Sequence, residues 1–233
     1  MRLPAILLLL AFLTGCENPS PRALRRAPVP VPVTVVQAAQ KFAVVTAPNP
    51  IQWDAKRSIF VANGLPLRAE KLWTFDGATD GFVVTNGQGT PSAGSGLAVS
   101  ETGPDVMVRT PKGLGINGRE RSLVIVRITR TRAGRPWDGT IYYSTAAHGE
   151  DQHYFAKPVM GGDPGVNETR LLVYDMHRLN AGADDWKTSV IYQFRIDLDD
   201  AAGGAFIIEQ VAVAKDPGAL FDTDSAPPRH PLN

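Results

Sequence analysis

The chain has 233 residues, 43% hydrophobic and 20% charged, and its 24 basic and 23 acidic side chains leave a formal charge of +1. That balance gives no electrostatic reason to expect nucleic acid as a partner, since such binding rests on an excess of Lys and Arg. A single cysteine excludes a disulfide framework or a multi-cysteine metal site within the chain.

The N-terminal MRLPAILLLLAFLTGCENPS has one arginine, an apolar run over 6–13 and small residues before Cys16. This is the pattern of a secretory signal, too short for the ~20 apolar residues of a membrane helix. The LTGC at 13–16 resembles the lipobox of bacterial lipoproteins, whose cysteine is lipidated and becomes the first residue after cleavage. The alternative is a plain signal peptide with an incidental cysteine. The resemblance implies a signal peptide over 1–15, lipidation at Cys16 and a cell-envelope protein held in a membrane by its acyl chains, each buried methylene contributing about 0.8 kcal/mol. Glu17 is not the Asp that commonly marks inner-membrane retention in such lipoproteins, so outer-membrane placement is expected where two membranes exist.

Residues 16–32 include NPSPRALRRAPVPVP, whose five prolines and three arginines predict a disordered, extended spacer. Arg22, Arg25 and Arg26 stand beside the anchor, either near anionic headgroups or simply solvated. Residues 33–69 mix short apolar runs with Pro and Gly breakers and predict an arm with at most a short strand. A compact domain is expected over 70–215, a usual single-domain size, followed by a loose, Pro-rich tail over 216–233.

Within that domain the dominant period is two. Strands are predicted at 70–75, 81–85, 96–100, 106–109, 139–145, 153–158 and 170–174, and in three longer runs. In SVIYQFRIDL, Val190, Tyr192, Phe194, Ile196 and Leu198 share one face while Ile191, Gln193, Arg195 and Asp197 share the other. In RSLVIVRITR both faces are apolar, as in a central strand between layers, and GAFIIEQVAVA is similar. GQGTPSAGSG reads as a flexible turn without the ending of a phosphate loop. Roughly ten short strands with turn signals between them predict an all-β fold, a two-sheet antiparallel β-sandwich of jelly-roll type.

WTFDGATDGFVVTNG, GTIYYST, DDWKTSVIYQFRIDL and GGAFIIEQVAVA, in that order over residues 72–214, resemble the galactose-binding-domain-like jelly rolls found as carbohydrate-binding modules and as domains of bacterial surface proteins. The resemblance implies that Trp73, Phe75 and Phe82 are core residues around a strand-turn-strand, with Asp76 and Asp80 closing turns. It implies a structural calcium held by Glu70, Asp76 and Glu209, the alternative being solvated strand ends. It also implies a polysaccharide or other glycan as partner, bound on aromatic faces beside planar polar groups. Trp137, Tyr142, Tyr143, Tyr154 and Trp186 are the aromatic candidates. Tyr142 and Tyr143 must point to opposite faces, and Trp186 has core packing as its competing role. Arg195 and Asp197 either bracket hydroxyls or form an ion pair on the sheet.

HGEDQH gathers His148, Glu150, Asp151 and His153 but lacks metalloprotease spacing, and reads as a solvated loop in preference to a metal site. No G-x-S-x-G elbow is found. A membrane-anchored, non-catalytic carbohydrate-binding lipoprotein is therefore expected. An assembly lipoprotein binding an envelope protein partner is the alternative, and a polysaccharide hydrolase with two converging carboxylates is a third reading.

Overall fold

The computed structural model describes residues 49–92, 94–218 and 220. The signal peptide, Cys16, the spacer and the tail beyond 220 lie outside the described residues.

The fold is an all-β sandwich of antiparallel sheets. Its strands are β1 (Ile51–Asp54), β2 (Ile59–Ala62), β3 (Leu65–Pro66), β4 (Ala69–Trp73), β5 (Val83–Thr85), β6 (Gly87–Ser92), β7 (Gly96–Glu101), β8 (Met107–Arg109), β9 (Ile116–Asn117), β10 (Leu123–Arg132), β11 (Ile141–Ser144), β12 (Phe155–Ala156) and β13 (Glu168–Asp175). The one-turn helix α1 (Asp185–Thr188) then leads into β14 (Val190–Ile191), β15 (Gln193–Asp197) and β16 (Ala205–Ala214). One sheet runs β13-β10-β16-β7-β6, with β4 also pairing to β16, and a second runs β12-β11-β15-β8-β5. Between them lies the main core, where Val124, Val126, Phe206 and Val211 of the first sheet meet Val108, Ile141, Tyr143, Phe194 and Ile196 of the second. No helix among the described residues is long and apolar enough to cross a membrane.

The double-sided apolar pattern of β10 has a direct structural counterpart. Its neighbours are β13 and β16. Val124, Val126 and Ile128 face the main core, whereas Leu123 and Ile125 join Ile51, Phe60, Ala62 and Leu67 in a second buried cluster. Residues 51–66, within the stretch expected to supply at most a short strand, thus form the three-stranded sheet β1-β2-β3 and cover the outer face of the first sheet. Their pattern is hard to read because each strand is only two to four residues long, below the span over which alternation shows.

The opening motif is a plain strand-turn-strand. Phe75 and Phe82 are buried and pack edge-on, with Trp73 against both Phe82 and Phe194. The Asp80 carboxylate accepts the Phe75 N–H at 2.9 Å, closing the turn, and the Asp76 carboxylate accepts the Thr74 hydroxyl at 2.7 Å. The segment read as a flexible turn, residues 87–96, instead begins with β6, paired residue by residue with β7. Its glycines allow close approach: a Cβ on Gly89 would come 2.6 Å from a Val84 methyl of the facing sheet.

Candidate functional site

The outward face of the second sheet carries the polar chemistry. Register places Phe155, Tyr142, Arg195, Arg109 and Val83 in one row across all five strands, because Phe155 pairs with Tyr142, Tyr142 with Arg195, Arg195 with Arg109 and Arg109 with Val83. One step along, Asp197, Met107 and Thr85 make a second row on the same face.

These side chains are held by one another. The Arg195 guanidinium lies 4.3 Å from the centre of the Tyr142 ring, a cation–π contact, and donates to Asp197 at 3.0 Å. Arg109 donates through Nε to both Glu150 oxygens, at 3.0 and 2.9 Å, and to the Thr85 hydroxyl at 2.9 Å. Arg195 reaches the same Glu150 at 3.4 Å. Glu150 comes from the HGEDQH loop, which is therefore not simply solvated: it delivers a carboxylate onto the sheet between two guanidinium groups. His148 of that loop stacks on Tyr154 at 3.6 Å and meets the Asp185 carboxylate at 2.9 Å, while His153 pairs with Asp151. The four residues of the cluster thus have separate partners.

Burial, followed by the repulsion of Asp105, Asp138 and Glu150, raises the Asp197 carboxyl to about 7 in spite of Arg195 beside it. Asp197 Oδ1 and Arg195 Nε are buried with no hydrogen-bond partner among the described residues. Above this platform opens a cleft of about 530 Å3 lined by Arg109, Lys112, Ser144, Gly149, Glu150, Tyr192, Gln193 and Arg195.

Tyr192 is the residue that alternation misassigns. It was expected on the face of Phe194 and Ile196, yet it is 48% exposed while those two are buried. The phase changes at the break between β14 and β15: Ile191 and Phe194, three positions apart, both face the core, while the Gln193 amide donates to the Thr110 carbonyl and the Phe194 N–H to the Thr110 hydroxyl at 3.1 Å. Val190 is left exposed by the same shift. Sequence reasoning also misses Arg109, Lys112, Ser144, Gly149 and Gln193 as cleft residues, and it places Glu150 in a solvated loop.

None of the aromatic candidates lines the cleft itself; Tyr142 stands against the Arg195 guanidinium that does. Tyr143 and Trp186 are fully buried and serve packing, which corrects their assignment to glycan binding. The Trp186 indole donates to the Arg121 carbonyl at 2.7 Å, and the Tyr143 hydroxyl to Asp185 at 2.9 Å. Burial and then that acceptor push the Tyr143 hydroxyl well above the usual range. Tyr154 is half-buried under His148 and packs against the core. Trp137 belongs to another part of the sandwich, where it and Phe206 flank the guanidinium of buried Arg130. Arg130 there holds Asp199 at 3.1 and 3.2 Å and Asp163 at 2.8 Å.

The proposed calcium ligands are separated. Glu70 pairs with Arg121 at 2.5 Å and Glu209 with Arg127, while Asp76 holds Thr74. Register sets Lys71 opposite Val213 and Trp73 opposite Val211, so Glu70 and Glu209 stand roughly 16 Å apart along the sheet. Among the described residues no group of three or more His, Cys, Asp or Glu is arranged to hold a metal ion.

No protein-family model matches the chain, and no curated protein matches it in sequence. The geometry of the cleft is accordingly the basis for a functional reading.

Proposed function

We propose that this protein is an envelope lipoprotein, tethered through Cys16, whose β-sandwich binds carbohydrate without catalysis in the cleft over β15. The observation that carries the reading is Tyr192, an exposed aromatic ring at the wall of an open cleft whose floor is planar guanidinium and carboxylate groups. Sugar recognition needs both parts: an apolar ring for the C–H face of a pyranose, and fixed donors and acceptors for its hydroxyls. The Arg109–Glu150–Arg195 arrangement supplies the second part in a pre-organised form, since each group is held by another. Glu150 has its oxygens on guanidinium groups and Asp197 is buried beneath Arg195, so both carboxylates serve to order cations.

Calorimetric titration of the full-length protein against soluble polysaccharides tests this. Saturable binding weakened tenfold or more by Tyr192→Ala, with the thermal unfolding midpoint unchanged, is the expected result. An intact fold that binds no glycan would refute it and favour the assembly reading, in which the same face meets an envelope protein. The tether is tested separately by Cys16→Ser, which should move the protein out of the membrane fraction.

A further inference from the structure

A second cleft, of about 480 Å3, lies along β14 and is lined by Asn117, Arg119, Lys187, Thr188, Ser189 and Val190. It contains two cationic side chains and no carboxylate. Among the described residues neither Arg119 nor Lys187 makes an ion pair or a side-chain hydrogen bond, and both are exposed. Of the nearby acids, Asp185 is engaged by His148 and Tyr143 and Glu120 by Arg121, while Asp184, at the start of the helix that carries Lys187, is exposed and makes no side-chain cap hydrogen bond. The cleft over β15 has the same bias, with Arg109, Lys112 and Arg195 against Glu150. There the two arginines share Glu150, and Lys112 has no ion-pair partner among the described residues.

The two clefts meet on one strip of chain. Val190 lines one, Tyr192 and Gln193 line the other, and the alternation of exposed Val190, buried Ile191 and exposed Tyr192 turns both exposed side chains to the same side. From Val190 to Gln193 the strand advances only about 10 Å. An extended polymer lying on this strip would meet Arg119 and Lys187 first, then Tyr192, then Lys112 and the Arg109–Arg195 pair.

We propose that the two clefts form one track for an acidic glycan, a polysaccharide carrying carboxylate or other anionic groups along its length, with Tyr192 as the stacking platform between two cationic ends. The proposal rests on the carbohydrate reading of the β15 cleft and specifies its ligand. Sequence composition hides this bias because the whole chain is nearly neutral, with +1 overall. The cations matter through their local lack of partners. An exposed guanidinium or ammonium that gains an anionic partner contributes modestly, roughly two- to fivefold in affinity per charge, and the contribution is screened by salt.

The test titrates full-length protein with oligogalacturonates, with sulfated heparin-derived oligosaccharides and with neutral malto-oligosaccharides of matched length. Wild type is compared with Arg119→Gln/Lys187→Gln and with Tyr192→Ala. The expected result is preference for at least one acidic series, affinity that grows with oligomer length, and weakening by added salt. In the double variant the gain from length should be lost, with affinity for the longest oligomer falling on the order of tenfold. Equal binding of neutral and acidic oligomers, unaffected by the double variant, would overturn the acidic track and leave the carbohydrate reading standing. Acidic binding that depends on Tyr192 but not on Arg119 and Lys187 would overturn the second cleft's part. No binding of any oligomer would sink both readings together. Co-sedimentation with phosphatidylglycerol and with neutral phosphatidylcholine vesicles completes the set. If the double variant loses only the extra binding to the anionic vesicles and none to glycans, the strip faces a lipid surface and the proposal fails.

Discussion

Replacing Glu101 by Gln tests whether the buried network around Arg130 is built on a proton. Glu101 and Asp199 are 3% and 1% exposed. Asp199 is well served, by two Arg130 nitrogens and by the Gly134 N–H at 3.1 Å. Glu101 is not: Oε1 accepts the Asp199 N–H at 3.2 Å, and Oε2 is buried without a hydrogen-bond partner among the described residues. Both carboxylates press on the same glycine, since a Cβ on Gly134 would lie 2.7 Å from Asp199 Oδ2 and from Glu101 Oε2. Burial, then the Asp199 charge, raises the Glu101 carboxyl from 4.5 to about 7. Between those values the native state keeps a proton that the unfolded chain has released. The unfolded state therefore binds fewer protons, and stability falls as pH rises through this window. Each pH unit between the two values carries about 1.4 kcal/mol, so ionised Glu101 costs about 3 kcal/mol at pH 8. Gln has nearly the same shape and no charge to bury. Urea unfolding at pH 4.5 and pH 8 should show Glu101→Gln close to wild type at the lower pH and more stable by up to about 3 kcal/mol at the higher one. For a domain of this size that corresponds to roughly 6–12 °C in the unfolding midpoint. A variant less stable than wild type by the same amount at both pH values would refute the reasoning, because the carboxyl would then contribute through its hydrogen bond and not lose stability through its charge.

Other consequences follow from single contacts. Trp186→Ala removes a fully buried indole and its hydrogen bond to Arg121, and should lower stability by about 3–5 kcal/mol in chemical denaturation. Gly118→Ala would drive a methyl into the Trp186 carbonyl oxygen, which is backbone and has little room to yield, so a loss of about 1–3 kcal/mol is expected in chemical denaturation. Arg195→Gln removes the cation that holds the Asp197 pKa down, so a carboxyl-carbon NMR titration should find that group rising above about 7. An unchanged titration would mean that Arg195 and Asp197 do not interact as the 3.0 Å contact implies.

Local pattern determined what depends on short-range chemistry. The two apolar faces of Leu123 to Ile128 announce a strand between layers, and that strand is β10, with a core on either side. Adjacent Tyr142 and Tyr143 must diverge on any strand, and one is on the outer face and the other in the core. The turn chemistry of Asp80 is equally local, its partner being Phe75 only five positions away. Tertiary structure alone decided the site. Arg109, Glu150 and Arg195 are brought together from a strand, a loop and another strand, at sequence separations of 41 and 45, and although Arg195 and the HGEDQH loop stand out in the sequence, nothing local joins them to each other or to Arg109. Tyr192 became a surface residue because the chain breaks between β14 and β15, so that Ile191 and Phe194 both reach the core, the second with its backbone held by Thr110 more than eighty positions away. Alternation describes one continuous strand whose two faces see different media, and it fails where the strand is interrupted and the phase restarts. The lack of partners at Arg119, Lys112 and Lys187 is likewise a property of which carboxylates the fold brings near them, which a count of 24 basic and 23 acidic residues does not contain.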